Sequence, residues 1–204
     1  MTSSERKSHV QSFETRTEAA NAAATAVASE LRRLIASHGR AVAVFDAFTQ
    51  PVEFFDRLVN EPGIDWTQVI AFQAGEYVGE RPASAASRQR FLTEHLVLRV
   101  PIVSFQPLRG DAANPSAAAT NFSEQLAATP PDLAFVSFQL LDSKESDRPS
   151  EEAVGFTRIG DRMAIAITPR ALLRCPRLFA LGATTAPQGA ERHANASIFL
   201  SINP

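Results

Sequence analysis

The chain has 204 residues, 45% of them hydrophobic and 21% charged, with a formal net charge of -2 and a pI near 6.1. That is ample apolar material for one continuous core and too little charge for wholesale disorder. The balance offers no general attraction for nucleic acid or an acidic membrane, and a lone Cys175 excludes an intrachain disulfide framework.

Residues 1–12 read as a polar tail, and 13–204 as a single domain. Thr15 and Glu18 have the spacing of a capping box ahead of an alanine-rich helix, whose heavier apolar face is Val27, Leu31, Leu34 and Ile35. His38-Gly39 ends it. Ala41 to Phe45 is a short apolar run suited to a buried strand, and Pro51 fits the first position of a second helix carrying Phe54, Phe55, Leu58 and Val59. Trp66 to Phe72 reads as the next strand, and Ser84 to Leu98 as a helix with Phe91, Leu92, His95 and Leu96 inward. A short strand at Ile102–Phe105 and a helix at Pro115–Leu126 follow. Leu133 to Leu141 is a second long apolar run, expected to be a strand covered on both faces. Asp142 to Glu152 reads as an exposed charged loop. Ala164–Ile167, Leu178–Leu181 and Ser197–Ile202 complete the strands, with a helical turn opening at Pro169.

Strands alternating with amphipathic helices predict an α/β fold, a three-layer sandwich with a mainly parallel Rossmann-like sheet. No stretch is long and apolar enough to span a bilayer, and Met1 to His9 is too polar for a signal peptide, so a cytoplasmic location is expected. His9, His38, His95 and His193 are scattered and form no metal motif with Cys175; neither metal nor cofactor is expected.

The most informative stretch is Val69 to Glu80, where an apolar run ends in a polar turn carrying Glu76 and Tyr77, followed by Gly79. In a parallel sheet such a turn presents side chains at the strand's carboxyl end, where these folds usually bind ligands. The stretch resembles the core motif of the glucosamine-6-phosphate deaminase and 6-phosphogluconolactonase superfamily, Asn-Met-Asp-Glu-Tyr-Val-Gly in the deaminase branch. The resemblance runs from the first helix to Pro204, with weaker echoes at Pro51, Asp132 to Asp142, Arg170 to Leu173 and Leu181-Gly182.

The family's functional positions are altered in this chain. Its catalytic aspartate, the residue before Glu-Tyr, corresponds to Gly75. Its glycine-rich phosphate loop corresponds to Asp46-Ala47-Phe48-Thr49-Gln50-Pro51, where Ala47 and Phe48 add side chains and Asp46 a repelling charge. Its Asp-Gly-His corresponds to Asp142-Ser143-Lys144, and a lysine normally stays protonated near neutrality. Its phosphate-contacting lysine corresponds to Thr185, leaving Arg148 or Arg158 as spatial substitutes. The resemblance thus implies a divergent homologue without standard deaminase activity, one that binds a small polar metabolite or sugar derivative.

Two alternatives stay open: an active carbohydrate-processing enzyme (sugar-phosphate isomerase or lactone hydrolase) with an altered acid/base site, and an interaction or structural subunit. Asp142, Lys144 and Glu76 are the candidate catalytic residues, and Thr49, Gln50, Tyr77, Gly75 and Thr185 the candidate ligand contacts. Self-association is compatible with the sequence. An exposed patch made by Phe48, Phe138 and Leu140 would favour the interaction reading.

Overall fold

The computed structural model describes residues 8–49, 52–143, 152–183, 185–186 and 188–203. Its frame is a seven-stranded sheet, parallel throughout. In chain order the strands are β1 (His9–Phe13), β2 (Ala41–Phe45), β3 (Val69–Gln73), β5 (Ser104–Gln106), β6 (Leu133–Ser137), β9 (Arg177–Ala183) and β10 (Ala196–Ser201). They lie in the order β1-β10-β9-β6-β2-β3-β5. A separate three-stranded antiparallel sheet pairs β4 (Gly75–Tyr77), β8 (Arg162–Ile167) and β7 (Val154–Ile159) in the order β4-β8-β7.

Alternation along β2 divides the interior into two cores. Ala41, Ala43 and Phe45 face one, with α1 (Arg16–His38) and α2 (Val52–Val59). Val42 and Val44 face the other, with α4 (Pro115–Ala128) and the small sheet. This is the expected three-layer α/β arrangement with helices on both faces of a mainly parallel sheet.

Helix α1 starts and stops where its sequence says. Thr15 Oγ1 accepts the Glu18 N–H, the Glu18 carboxylate accepts the Thr15 N–H, and Gly39 closes the helix at φ 74 while donating to Ile35 O at 2.8 Å. Its buried stripe is largely alanine (Ala19, Ala20, Ala23, Ala24, Ala28), so the helix lies close against the sheet.

Five elements differ from the sequence expectation. Residues 9–13, assigned mostly to a polar tail, form edge strand β1, which pairs with the last strand, a partner no local pattern reveals. Trp66 lies in a 3-10 turn, and β3 begins at Val69. The helix expected over 84–98 is two short pieces, α3 (Arg88–Leu92) and a π-type turn (Thr93–Val97), in which Leu98 N–H reaches Thr93 O. Leu133 to Leu141 is not one strand: Ser137 caps a helical turn, α5 (Phe138–Leu141), by accepting the Leu140 N–H. Ala164–Ile167 belongs to the antiparallel sheet, not the parallel one. Short helices α6 (Pro169–Leu172) and α7 (Gln188–Arg192) complete the chain. No helix among the described residues is long and apolar enough to cross a membrane.

Candidate functional site

The carboxyl ends of β2, β3 and β6 lie side by side, since β2 pairs with both neighbours. Each strand leads into a segment holding a candidate residue: Phe48 and Thr49 follow β2, β4 with Gly75 to Tyr77 follows β3, and Asp142 follows β6 and α5.

Gly75 is pressed from two sides. A Cβ built there would stand 2.7 Å from Phe48 Cε2 and 2.9 Å from Ala166 Cβ. The Phe48 ring, 7% exposed, therefore occupies the space into which a side chain at position 75 would project, and it meets Tyr77 edge-on with centroids 5.1 Å apart. A second aromatic does the same further along the sheet. The Phe138 ring lies 2.3 Å from where a Cβ on Gly182 would be. Phe48, Phe138 and Leu140 are all buried, so they fill the end of the sheet and do not form an exposed patch.

The two buried carboxylates here are committed to holding backbone. Asp46, fully buried, accepts the Phe48 N–H at 2.8 Å on one oxygen, and the Ser137 N–H and hydroxyl at 2.9 and 2.5 Å on the other. It thereby ties the turn after β2 to the start of α5. Glu76, 1% exposed, accepts the Tyr77 and Arg88 N–H groups on Oε1. On Oε2 it accepts the Ser87 hydroxyl, the Gln89 N–H and, at 3.4 Å, the Gln73 amide. These donors include the first N–H groups of α3, which have no intrahelical acceptor, so Glu76 joins β4 to the start of that helix. Gln73, also buried, donates to Gly75 O and accepts the Leu108 N–H, fixing the link from β3 to β4.

Tyr77 is held from outside, with the Arg162 guanidinium 3.9 Å from its ring centroid and that of Arg88 at 5.6 Å. Asp142 is exposed at the end of α5. Thr185 is exposed beside β9, its N–H bonded to Ala183 O. Arg158 is exposed on β7 and donates to Asp161 O. Gln50, Lys144 and Arg148 lie outside the described residues. Gly75, Glu76 and Tyr77 thus lie together on β4 beside Phe48, with Thr49 next to it in sequence, whereas Thr185 lies beside β9 and Arg158 on β7.

A cavity of about 230 Å³ lies at this end of the sheet. Its walls are Thr49, Phe138, Gln139 and the end of β9 from Leu181 to Ala183, together with Arg16 of α1 and Ser201 of β10. Sequence reasoning reached Thr49 but not Arg16 or Ser201. They stand near opposite ends of the chain and come to one cavity because β1 pairs with β10. The capping box immediately before Arg16 was the local signal available. Among the described residues no group of three or more His, Cys, Asp or Glu side chains is placed to hold a metal ion.

No protein-family model and no curated protein matches this sequence. Solved structures do match. A 6-phosphogluconolactonase from Shewanella baltica is 19% identical over 97% of this chain and 99% of its own, with a TM-score of 0.79. A 6-phosphogluconolactonase from Thermotoga maritima is 15% identical over 96% and 99%, again at 0.79. A monomeric glucosamine-6-phosphate deaminase is 11% identical over 95% and 97%, at 0.76. At these identities the likeness is one of fold, and over nearly its whole length this chain carries the fold that 6-phosphogluconolactonases and glucosamine-6-phosphate deaminases share.

Proposed function

We propose that this protein is a divergent relative of the sugar-phosphate isomerases and lactonases that lacks their standard chemistry and binds a small polar metabolite at the carboxyl end of its sheet. The observation that carries this reading is the Phe48 ring standing 2.7 Å from the Cβ position of Gly75. Isomerisation with deamination requires a base within hydrogen-bond reach of the carbon acid and an anchor for the phosphate. The resemblance puts the base at position 75, where there is neither a side chain nor room for one.

The neighbouring carboxylate does not supply the missing group, because Glu76 is engaged by the backbone and side-chain donors around it. The turn after β2 is likewise ill-suited to a dianionic phosphate, with the Asp46 carboxylate at its start. Burial of Phe48, Phe138 and Leu140 favours this reading over an interaction module, which would need those residues exposed.

The test is a coupled ammonia-release assay with glucosamine 6-phosphate, run beside a hydrolysis assay with 6-phosphogluconolactone, on the purified chain. Both are expected to stay at the background of a mock purification. Saturable turnover of either compound, abolished by Asp142→Asn, would overturn the reading in favour of an altered acid/base site.

A further inference from the structure

Strand β1 is one edge of the large sheet, and among the described residues no strand pairs with its outer side. Which of its groups face outward follows from one bond and the period of a strand. Ile202 N–H donates to Phe13 O at 2.9 Å, so the backbone groups of Phe13 point toward β10, and those of Gln11 and His9 with them. The N–H and C=O of Val10 and Ser12 therefore point away from the sheet. The two edges are guarded differently. At the far edge β5 is three residues long and lies between Pro101 and Pro107, which leaves little backbone for another strand to join. Strand β1 is five residues long and has no Pro, Gly, Lys, Arg, Asp or Glu. Val10, which shares a face with its register partner Ile198, is 46% exposed, and Ile202, on the same face by alternation, is 63% exposed.

We propose that β1 pairs antiparallel with the β1 of a second copy of this chain, about a two-fold axis through Gln11. In that register the strand satisfies its own outward groups. Val10 of one copy lies opposite Ser12 of the other and exchanges both N–H···O=C bonds with it, and the axis repeats the exchange on the other side of Gln11. A second copy is the occupant because the match is self-complementary: β1 has no formal charge to repel its own image, and His9 falls opposite Phe13, not opposite itself. The two Val10 side chains lie diagonally across the axis, on the face that also carries Leu200 and Ile202, and shield part of each other's exposed apolar surface. The two seven-stranded sheets thereby become one continuous sheet, and the unguarded edge is removed.

Analytical ultracentrifugation of the full chain over a concentration series tests it. The wild-type chain is expected to be mainly dimeric at about 100 μM. Ser12→Pro deletes an outward N–H and no bond to β10, so it should weaken the dimer about tenfold or more with an unchanged circular-dichroism spectrum. Val10→Lys and Val10→Glu each bring like charges together across the axis, and each alone should be monomeric; an equimolar mixture of the two should recover the dimer. Gln11→Cys should form a disulfide-linked dimer on mild oxidation, because the residue on the axis faces its image at about 4.5 Å between Cα atoms. Val103→Lys, beside the opposite edge, should leave the dimer intact. A wild-type monomer at about 100 μM, a dimer that survives the Val10 charge variants, or a mixture that fails to recover it would overturn the proposal.

Discussion

Replacing Glu76 with Gln keeps the side chain's shape and removes one acceptor, so its cost follows from the geometry. Oε1 takes two backbone N–H groups, and Oε2 takes one, together with the Ser87 hydroxyl and the Gln73 amide. An amide NH2 in the Oε1 position would face two backbone donors with no means of turning away. In the Oε2 position it can be met by Ser87, whose hydroxyl can rotate to accept, but the Gln89 N–H still loses its acceptor. The second arrangement is therefore the cheaper. It forfeits two hydrogen bonds outright, that of the Gln89 N–H and the long one from the Gln73 amide, and turns the others from charge-assisted into neutral ones. A bond to a charged group is typically worth about 1.5–3 kcal/mol and a neutral one about 0.5–1.5. With partial relaxation, Glu76→Gln should cost on the order of 2–4 kcal/mol.

Urea unfolding followed by circular dichroism would show this as a midpoint lowered by on the order of 1–2 M, with the slope unchanged. Ser87→Ala should cost less, and the double variant less than the sum, because the two groups share one hydrogen bond. An unfolding midpoint for Glu76→Gln equal to wild type would refute the structural assignment. Loss of ligand affinity in that same stable variant would return Glu76 to the binding site.

Three further expectations can be checked on the same protein. Gly75→Ala should destabilise by about 1–3 kcal/mol through overpacking against Phe48 and Ala166. In a Phe48→Ala background the added methyl should cost less, and urea titration of both single variants and the double closes that cycle. Glu61 joins α1 to α2: it accepts from Thr25 and Arg57 and pairs with Arg32 at 3.6 Å. Burial pushes its carboxyl up, but these partners outweigh burial and hold it below its ordinary value of 4.5. Its contribution is therefore complete above that value and is lost as pH falls through the lower, folded one, so Glu61→Gln should flatten the acid limb of a stability–pH curve while wild type keeps its slope. Burial, with a smaller contribution from the Asp132 charge, pushes the Cys175 thiol up to about 12, and iodoacetamide at mildly alkaline pH should label it only after unfolding in urea. Rapid labelling of the native protein would contradict its burial.

The short-range features of this chain were legible because local chemistry determines them. The Thr15–Glu18 capping box, the Gly39 stop and the 41–45 strand are each settled by residues within a few positions of one another. The order of apolar runs and amphipathic helices was likewise sufficient for a parallel three-layer fold. The breaks were harder: in Leu133–Leu141 every residue suits a strand, and only the Ser137 cap, itself gripped by Asp46 from 91 positions away, turns the chain into α5.

For the candidate site, the sequence by itself determined that position 75 carries no acid. What stands in that space was decided by tertiary structure, because the contact between Phe48 and Gly75 depends on β2 and β3 lying side by side. Glu76 had the residue type and position of a catalytic group. Its engagement by the start of α3 appears only once a helix twelve residues downstream is folded back onto it. Arg16 and Ser201, 185 positions apart, reach the walls of one cavity only in the folded chain. Caps and periodicities are sums over near neighbours along the chain, whereas a cavity is made by near neighbours in space, and the pairing of the first strand with the last brings these two residues to its walls.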